Sequence, residues 1–537
     1  MLGLMMQTPL LITGIMRHAE RVNSRTEVVS VTAENPRHRC TLGDVFRRTR
    51  KLANALTRAG VQPGDRIATL AWNDYRHLEL YYAVSCIGAI LHTLNPRLYS
   101  EQITYIINHA GDRMLFADLT VMPLVEKLKP SLKTVERIVV LGNDSYEAFI
   151  ANEPDTFDWP DLDERTASAL CYTSGTTGNP KGVLFDHRST VLHSYGSALV
   201  DTMGFGRRDT ALAVVPMFHA NAWGLPYSAP MVGAKLVFPG PKMGDGATLA
   251  ALIDEEKVTF AAGVPTVWQQ LLAYTREHNI VLESLEKVLV GGSACPLSIM
   301  NEFRDRHDVW TIHAWGMTEM SPLGTTNSKP ADWGRMSETA KDALRSRPGR
   351  PAFGVEMKVV NDEGQELPRD GKSPGLLKVR GPWVCSDYFR LGEKSVTHDE
   401  DGWFATGDVG NLSEDGTLQI TDRSKDVIKS GGEWISSIDL ECIAAGHPKL
   451  LQAAVIGVPH PKWDERPLLI AVPRPGESPT REELLAWLVG RVAKWWIPDD
   501  VVFVEKIPLT ATGKISKVEL RQQFKDYRFG ADIRETP

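Results

Sequence analysis

The chain has 537 residues, of which 42% are hydrophobic and 24% charged, and its formal net charge is −7. This length predicts more than one domain, and this composition is typical of a globular protein. The net charge and the lack of a basic run argue against nucleic acid as a partner. The sequence also has no apolar run of about 18 residues, so we expect no integral membrane segment.

The six cysteines are dispersed and form no CxxC pair. Dispersed cysteines favour reduced thiols over a disulfide framework or a Cys/His metal cluster. The opening residues are apolar but lack the basic region of a secretory signal. We therefore expect a cytoplasmic protein.

Short apolar runs alternate with helix-like stretches from about residue 65 onward. RIATLAW (66–72) precedes a stretch at 74–91 that we interpret as an amphipathic helix, and further strand candidates follow at 113–118, 137–142, 210–216 and 235–240. Such alternation predicts βαβ units with largely parallel sheets. The fold class expected is α/β, with a large N-terminal domain of stacked αβ sheets.

The pattern changes after DGWFATGDV (401–409), where shorter strands and two helical stretches predict a small, mobile α+β domain. One of these stretches, 480–495, has Leu484, Leu488, Val492 and Trp495 at the spacing of a single helix face. We expect one core-packed helix there. The predicted domains are residues 1–422 and 423–537.

The segment YTSGTTGNPKGV (172–183) has the composition of an anion-binding loop. It follows the apolar run SALCY (168–172), so the loop is expected at the end of a buried strand, where ligands of α/β proteins collect. Its glycines allow close backbone approach, and its amides, hydroxyls and lysine bind anions. The Walker A pattern is absent because Pro180 precedes Lys181. A flexible surface loop is the alternative.

Four further stretches have side chains suited to nucleotide chemistry. HAWGMTE (313–319) ends in Glu319, a candidate Mg²⁺ ligand, and GWFATGD (402–408) ends in Asp408, a candidate acceptor for ribose hydroxyls. TDRSKDVIKSGGEW (421–434) begins the second domain, and PLTATGKISK (508–517) places Lys514 after a glycine. Taken singly, Glu319 is also compatible with a solvated acid, Asp408 with a turn residue and Lys514 with an exposed lysine.

Together, in this order, these stretches resemble the adenylate-forming superfamily of acyl-CoA synthetases, luciferases and peptide-synthetase adenylation domains. The resemblance runs from about residue 10 to about residue 525. PMFHANAWG (216–224), GGSACP (291–296), HAWGMTEMSPLGT (313–325), IKSGGEWISS (428–437) and HPKWDERPL (460–468) are similar to medium- and long-chain fatty acyl-CoA ligases. They are equally similar to 3-methylmercaptopropionate-CoA ligases.

The resemblance implies an AMP-forming acid-thiol ligase that uses ATP, Mg²⁺ and coenzyme A. A carboxylate attacks the α-phosphorus of ATP and expels pyrophosphate, and the CoA thiol then attacks the carbonyl of the acyl-adenylate and expels AMP. Neither step needs a protein nucleophile, so catalysis depends on positioning and charge stabilisation.

By resemblance, Thr318 contacts the α-phosphate, Thr173 and Glu319 organise Mg²⁺, Trp315 stacks on adenine, and Lys514 neutralises charge during the attack. The implied ATP-binding and AMP-binding residues are Thr173, Ser174, Gly175, Thr176, Thr177, Gly178, Lys181, Gly292, Ser293, Ala294, His313, Ala314, Trp315, Gly316, Thr318, Asp408, Arg423 and Lys425.

The family uses one site for both reactions by rotating the small domain, and Lys425 matches the hinge position. The implied CoA-binding residues are Lys429, Gly431, Gly432 and Trp434. Side chains at the two glycines would obstruct a pantetheine tunnel.

The acyl pocket is assigned to His219, Ala220, Trp223 and Gly291, with His219 also counted as catalytic and Trp223 as the gate. Ala220 departs from the valine common in these enzymes, and Trp496 replaces a customary glutamine. The stretch offers no cation to a second carboxylate and no Asp to an amine. An unbranched, uncharged acid of medium length is expected, with 3-methylmercaptopropionate as the alternative.

Three other functions remain open at this point. A carrier-loading adenylation domain for amino acids would place an Asp where this chain has His219. An ATP-dependent phosphotransferase would release ADP instead of AMP. A luciferase-type oxidase shares the same motifs. Relatives pair through their N-terminal domains, so the resemblance also implies a homodimer.

Overall fold

The computed structural model describes residues 1, 3–173, 179–391, 397–431, 433–510 and 513–529. The helices are α1 (Ile12–Val22), α2 (Leu42–Arg58), α3 (Tyr75–Cys86), α4 (Ser100–Ala110), α5 (Met122–Leu128), α6 (Tyr146–Ile150), α7 (His187–Ala198), α8 (Leu225–Val232), α9 (Gly246–Glu256), α10 (Pro265–Glu277), α11 (Leu297–His307), α12 (Glu338–Arg345), α13 (Ser437–Ala445), α14 (Arg481–Leu488) and α15 (Lys517–Gln523).

The strands up to residue 316 are β1 (Glu27–Ser30), β2 (His38–Thr41), β3 (Arg66–Leu70), β4 (Ile90–Thr93), β5 (Met114–Asp118), β6 (Arg137–Leu141), β7 (Ala167–Tyr172), β8 (Gly182–Asp186), β9 (Thr210–Ala213), β10 (Lys235–Phe238), β11 (Phe260–Gly263), β12 (Lys287–Val290) and β13 (Trp310–Gly316). The later strands are β14 (Leu323–Thr326), β15 (Arg350–Pro351), β16 (Glu356–Val360), β17 (Gly375–Arg380), β18 (Phe404–Leu412), β19 (Leu418–Arg423), β20 (Ile428–Ser430), β21 (Glu433–Ile435), β22 (Leu450–His460), β23 (Asp464–Pro473) and β24 (Asp500–Phe503).

Two sheets of the large domain are mainly parallel, as the alternating pattern predicts. One has the order β6-β5-β3-β4-β7-β8 and is parallel except for the β7–β8 pair. The other has the order β15-β14-β13-β12-β11-β9-β10-β1-β2, with parallel pairing from β13 to β1 and antiparallel edges. Most strands of these sheets are short apolar runs, because both faces of a parallel sheet are covered by other parts of the protein.

One buried core lies between the two parallel sheets and is filled by helices α1, α2, α3, α7 and α8. Aromatic rings pack edge to face within it, as for Phe46 and Tyr82, whose centroids are 5.0 Å apart. This core holds the carboxyl ends of β7, β12 and β13 on a rigid base. The loops after those strands contain the predicted nucleotide-binding residues.

Helix α3 differs from its predicted character. Every residue from Tyr75 to Cys86 is buried, so the helix is not amphipathic. Asp74 caps its N-terminus by accepting a hydrogen bond from the amide of His77 at 2.8 Å. The predicted helix, 74–91, is also too long. The observed helix ends at Cys86, the chain turns at Gly88, which has a φ of +82°, and strand β4 begins at Ile90.

A third sheet of the large domain was not predicted. Strands β16, β17, β18 and β19 form an antiparallel meander in that order. Its last pair contributes Asp408 and Arg423, which lie opposite one another in the register. This sheet therefore supplies one wall of the site.

The small domain contains a sheet of order β21-β20-β23-β22, with β24 alongside β23. Here the prediction of one helix over 480–495 is wrong, because α14 ends at Leu488 and Gly490 has a φ of +75°. Leu484 and Leu488 are buried in the small-domain core, whereas Trp495 is 38% exposed. The boundary at residue 423 stays a prediction.

Asp422 joins the end of the large domain to the small one through a buried ion pair and a hydrogen bond. Lys517 of α15, which also lies 3.1 Å from Glu441 of its own domain, is 3.9 Å from Asp422 Oδ1, and the amide of Ser437 donates to Asp422 at 2.8 Å. Such buried pairs are specific in geometry, because an unpaired charge there would be costly. They fix how the small domain sits in this structure.

Candidate active site

A cavity of about 380 Å³ lies where β7, β13, β18 and a small-domain loop meet. It brings together predicted residues from distant parts of the chain. The predicted residues that line it are Thr173, Lys181, His219, Ala220, Trp223, Gly291, Gly292, Ala314, Trp315, Gly316, Thr318, Glu319, Arg423, Lys425 and Lys514.

A second cavity of about 860 Å³ adjoins the first and separates the large domain from α13 and α14. Ser293, Ala294, His313 and Asp408, all predicted nucleotide contacts, line this cavity. Trp496, whose replacement of glutamine had no explanation in the sequence, lines the same cavity from the small domain.

Trp315, Asp408 and Arg423 form one hydrogen-bonded group in the wall shared by the two cavities. The indole Nε1 of Trp315 donates to Asp408 Oδ2 at 2.8 Å, and Arg423 Nε lies 3.2 Å from Asp408 Oδ1. Burial raises the pKa of Asp408, while Arg423 and the Trp315 hydrogen bond oppose that shift. The group fixes the indole that is predicted to stack on adenine and the carboxylate predicted to hold ribose.

The described part of the phosphate loop is its base. The amide of Thr173 donates to the carbonyl of Lys181 at 2.9 Å, which joins the two ends of the loop. The predicted residues Ser174, Gly175, Thr176, Thr177 and Gly178 lie outside the described residues.

Glu319 is buried, with 6% of its surface exposed, and follows Thr318 directly after β13. The hydroxyl of Tyr388 donates to Glu319 Oε1 at 2.6 Å. Burial raises the pKa of Glu319, and the Tyr388 hydrogen bond opposes the rise. Tyr388 lines the cavity but was not predicted, since a lone tyrosine outside any motif gives no sequence signal.

Lys514 reaches the cavity from the small domain. A Cβ atom added to Gly292 would lie 3.5 Å from Lys514 Cε and 3.9 Å from Trp223 Cζ2. Burial, together with the nearby positive charge of Arg423, lowers the pKa of Lys514 to about 8, against the opposing charges of Asp408 and Glu319. The ammonium group therefore lies among residues predicted to contact the nucleotide and the acyl group.

The gate segment is an unusual left-handed turn. Ala220, Asn221, Ala222 and Trp223 have φ angles of 42°, 52°, 48° and 55°, values that non-glycine residues seldom adopt. The turn directs Trp223 toward the sheet, where a Cβ atom on Gly291 would lie 3.3 Å from the indole ring. Small residues at 291 and 292 thus leave the space that the gate occupies.

His219, just before this turn, is held in its neutral form. Burial and the charge of Lys514 lower its pKa to about 3. A neutral imidazole is suited to hydrogen bonding, not to charge stabilisation. The catalytic role assigned to His219 from the resemblance stays a prediction.

The far end of the cavity was missed by sequence reasoning. Its lining includes Met203, Leu289, Met317, Leu323 and His193. His193 accepts a hydrogen bond from the amide of Leu323 at 3.2 Å, and burial lowers its pKa to about 3. His193, Met203 and Leu289 lie outside the stretches quoted from the sequence. Met317 and Leu323 lie within HAWGMTEMSPLGT (313–325), but their apolar side chains gave no signal of an acyl contact.

The predicted CoA-binding residues lie apart from the two cavities. Lys429, Gly431 and Trp434 lie on the β20–β21 hairpin and line neither cavity, and Gly432 lies outside the described residues. Gly431 has a φ of +61°, and a Cβ atom there would lie 2.8 Å from the ring of Trp463. Position 431 therefore needs glycine for its backbone conformation and for this close contact, in addition to the predicted need for an open tunnel.

No cluster of three or more His, Cys, Asp or Glu side chains able to hold a metal occurs among the residues that the structure describes. Within the same residues, we find no helix long and apolar enough to cross a membrane.

Comparison with known proteins gives the family. Residues 15–389 match the AMP-binding enzyme model, and residues 439–514 match the model of the AMP-binding enzyme C-terminal domain. The chain is 55% identical to the 3-methylmercaptopropionyl-CoA ligase of Ruegeria pomeroyi, over 99% of this chain and 100% of the relative. It is 51% identical to the medium-chain-fatty-acid–CoA ligase of Ectopseudomonas oleovorans, over 98% of each chain.

Among solved structures, an anthranilate CoA ligase in complex with anthranoyl-AMP superposes with a TM-score of 0.87 at 26% identity, covering 96% of this chain and 98% of the other. The chain belongs to the AMP-binding enzyme family. It is an AMP-forming acyl-CoA ligase, an enzyme that uses ATP and CoA. The family, the α/β fold and the reaction class expected from the sequence are confirmed.

Proposed function

We propose that the chain ligates CoA to an unbranched, uncharged acid, with a medium-length fatty acid as the central candidate. The observation that supports this choice is the far end of the 380 Å³ cavity. Its lining residues Met203, Leu289, Met317 and Leu323 are apolar, and His193 there is neutral. A carboxylate or ammonium buried among these side chains would lack a charged partner.

In the first half-reaction the acid is held with its chain beside Trp223 and its carboxylate toward Lys514. The lysine neutralises charge shared by the carboxylate and the α-phosphate during the attack. A mobile ammonium suits this role because it is a compact point charge on a flexible stem. The buried site strengthens the interaction by excluding water.

Mg²⁺ is proposed to bind at Glu319 with help from Thr173. Magnesium is usually held by one or two carboxylates and substrate phosphates, so the lack of a larger acidic cluster in the described residues fits this ion. Tyr388 engages Glu319 Oε1, and a carboxylate has a second oxygen with which to bind a cation. When bound, the ion supplies positive charge to the phosphate oxygens.

In the second half-reaction, rotation about Lys425 is proposed to bring the β20–β21 hairpin to the site. The hairpin is then placed to guide the pantetheine arm of CoA toward the acyl-adenylate. Two features support this step. Lys425 lines the cavity at the junction of the domains, and the hairpin lies outside the cavity in the described arrangement.

The alternative substrate is a short thioether acid, 3-methylmercaptopropionate. Two observations favour it. The relative with 55% identity is named a 3-methylmercaptopropionyl-CoA ligase, and two methionines, Met203 and Met317, line the end of the cavity proposed to hold the acyl chain. Thioether sulfur is polarizable and adapts to irregular apolar gaps, so it can occupy the place of a methylene group.

We also propose that the protein is a cytoplasmic homodimer. The described cysteines are free thiols, which suits a reducing compartment. Val200 and Phe353 expose 89% and 90% of their surface, and we propose them as candidates for contact with a second subunit. Light scattering on the purified protein tests the dimer, and a monomer at micromolar concentration contradicts it.

A matched substrate panel tests the proposed function. Pentanoate and 3-methylmercaptopropionate have the same chain length and differ by one methylene-to-sulfur exchange, while octanoate and palmitate extend the series. We expect AMP, pyrophosphate and an acyl-CoA from at least one of these acids. Release of ADP, or a preference for a dicarboxylate or an amino acid, would contradict the proposal.

A further inference from the structure

Residues 383–390, here called the brace, run alongside the loop that contains Glu319. The amide of Cys385 donates to the carbonyl of Glu319 at 2.8 Å, and Ser321 Oγ donates to the carbonyl of Trp383 at 3.0 Å. On its other side, the amide of Phe389 donates to the carbonyl of Gly182 at 2.8 Å. The brace thus connects the Glu319 loop to the base of the phosphate loop.

Tyr388 lies at the centre of this connection. Its hydroxyl donates to Glu319 Oε1 at 2.6 Å, and the Nζ atom of Lys181 lies 4.9 Å from its ring centroid. The side chain is mostly buried, with 9% of the residue exposed, and it lines the cavity. One side chain therefore contacts both the proposed metal-binding carboxylate and the lysine of the phosphate loop.

We infer that Tyr388 is a positioning residue for adenylation, which aligns Glu319 through its hydroxyl and Lys181 through its ring. The inference rests on the proposed function, because it assigns Glu319 to the metal and Lys181 to the phosphates. The two contacts use different parts of one rigid side chain. Tyr388 therefore links Glu319 and Lys181 before ATP binds.

The hydroxyl contact acts on the carboxylate. A hydrogen bond to one oxygen fixes the rotation of the carboxyl group, so the other oxygen keeps a defined direction. Loss of such an outer hydrogen bond typically weakens metal binding by about 10–100-fold. The expected consequence is weaker binding of MgATP when the hydroxyl is removed.

The ring contact acts on the lysine. An ammonium over the face of a tyrosine ring is attracted by the ring quadrupole, and this attraction does not need the hydroxyl. It limits the positions that the flexible Lys181 side chain samples. A phenylalanine at position 388 keeps this contact, whereas a leucine loses it.

Binding measurements can distinguish the effect of the hydroxyl contact from that of the ring contact. Calorimetric titration with MgATP, and with ATP in excess chelator, is compared for wild type, Tyr388→Phe and Tyr388→Leu. We expect Tyr388→Phe to weaken MgATP binding by about 10-fold or more and to leave metal-free ATP binding within about twofold. Tyr388→Leu should weaken both, because it also releases Lys181.

Two controls separate positioning from folding. Tyr195 is an exposed tyrosine of the same domain, and Tyr195→Phe should change neither titration. Double variants test the named partners: Tyr388→Phe should add little to Glu319→Gln in MgATP binding, and Tyr388→Leu should add little to Lys181→Met in metal-free ATP binding.

Unchanged MgATP binding by Tyr388→Phe would overturn the inference. So would an equal loss of metal-free and MgATP binding in that variant together with a lowered melting temperature, because that pattern describes a structural residue. The proposed function has a separate test, since it fails if wild type forms no AMP with any acid. That result does not depend on position 388.

Discussion

Two parts of the small domain differ in whether they line the cavities. The loop with Lys514 lies against Gly292 of the large domain, close to the charges of Asp408 and Glu319. The β20–β21 hairpin, with Lys429 and Trp434, lines neither of the two cavities described above. Both belong to one small domain, yet only the Lys514 loop reaches the cavities.

Under the proposed function, we assign the described arrangement to the adenylation half-reaction. A lysine beside the nucleotide region suits adenylation, whereas the predicted CoA-binding hairpin needs a different domain position. The buried pairs around Lys517 and Asp422 stabilise the arrangement in which Lys514 reaches the cavity. The two parts should therefore respond to substitution in different half-reactions.

The largest effect is expected from Lys514→Ala. Loss of a charge-stabilising group in a water-excluded site lowers rates by about 10²–10³-fold. Acyl-adenylate formation, measured as pyrophosphate–ATP exchange, should fall by that factor, while thioester formation from supplied acyl-adenylate and CoA should persist. Lys506→Ala removes an exposed lysine of the same domain and should change neither rate. Equal loss of both half-reactions in Lys514→Ala would refute the claim that Lys514 acts in adenylation alone.

A proline at the hinge should have the converse effect. Lys425→Pro fixes φ near one value and so restricts the rotation that CoA transfer requires. Misplacement of about 1 Å can cost on the order of 10²-fold in rate, and we expect a loss of that size in thioester formation. Adenylation should fall less than thioester formation, because it loses only the contact of the Lys425 side chain in the cavity. If adenylation falls and CoA transfer does not, Lys425 is not the hinge.

The pKa of Lys514 predicts a pH dependence of the first half-reaction. Burial lowers this pKa to about 8, and the protonated form is the one that stabilises charge. The kcat/KM for adenylation should therefore be highest below pH 8 and fall about tenfold for each pH unit above it. Lys514→Arg stays charged throughout this range and should lack the alkaline fall. A wild-type profile that is flat up to pH 10 contradicts this role.

The smallest effect concerns the acyl gate. Trp223→Ala removes the ring packed beside Gly291, so short acids lose a contact and longer or bulkier acids gain space. A buried methylene contributes about 0.8 kcal/mol, which is roughly a fourfold change in kcat/KM per carbon. The chain-length optimum measured over C4 to C16 acids should move to longer chains. An unchanged profile would show that Trp223 is not the gate.

The nucleotide side of the site could be predicted from the sequence much more fully than the acyl side. The predicted nucleotide contacts lie in contiguous motifs, so Thr173, Glu319, Asp408 and Lys514 could be predicted once the motifs were considered together, although single motifs had other interpretations. The proposed acyl wall includes single apolar residues such as Met203 and Leu289, which come from separate parts of the chain outside any quoted motif. Apolar residues at such places look like ordinary core until the fold brings them together.

Local periodicity also misled at two helices. The stretch from Tyr75 mixes polar and apolar residues, yet its polar side chains are buried and Glu79 pairs with Arg48 at 2.6 Å. The stretch after Arg481 keeps a helical spacing beyond Leu488, but the chain turns at Gly490. In both cases tertiary packing or one glycine outweighed the pattern.

Movement of the small domain between the half-reactions is the central claim, and a distance measurement tests it most directly. Fluorescent labels at Glu338 of the large domain and Glu482 of the small domain use side chains that are 72% and 76% exposed. Energy transfer should be the same in free enzyme and with ATP, and should shift when an acyl-adenylate analogue and CoA are added. Lys425→Pro should abolish the shift. Identical energy transfer in all three states, in an enzyme that completes both half-reactions, would contradict the account.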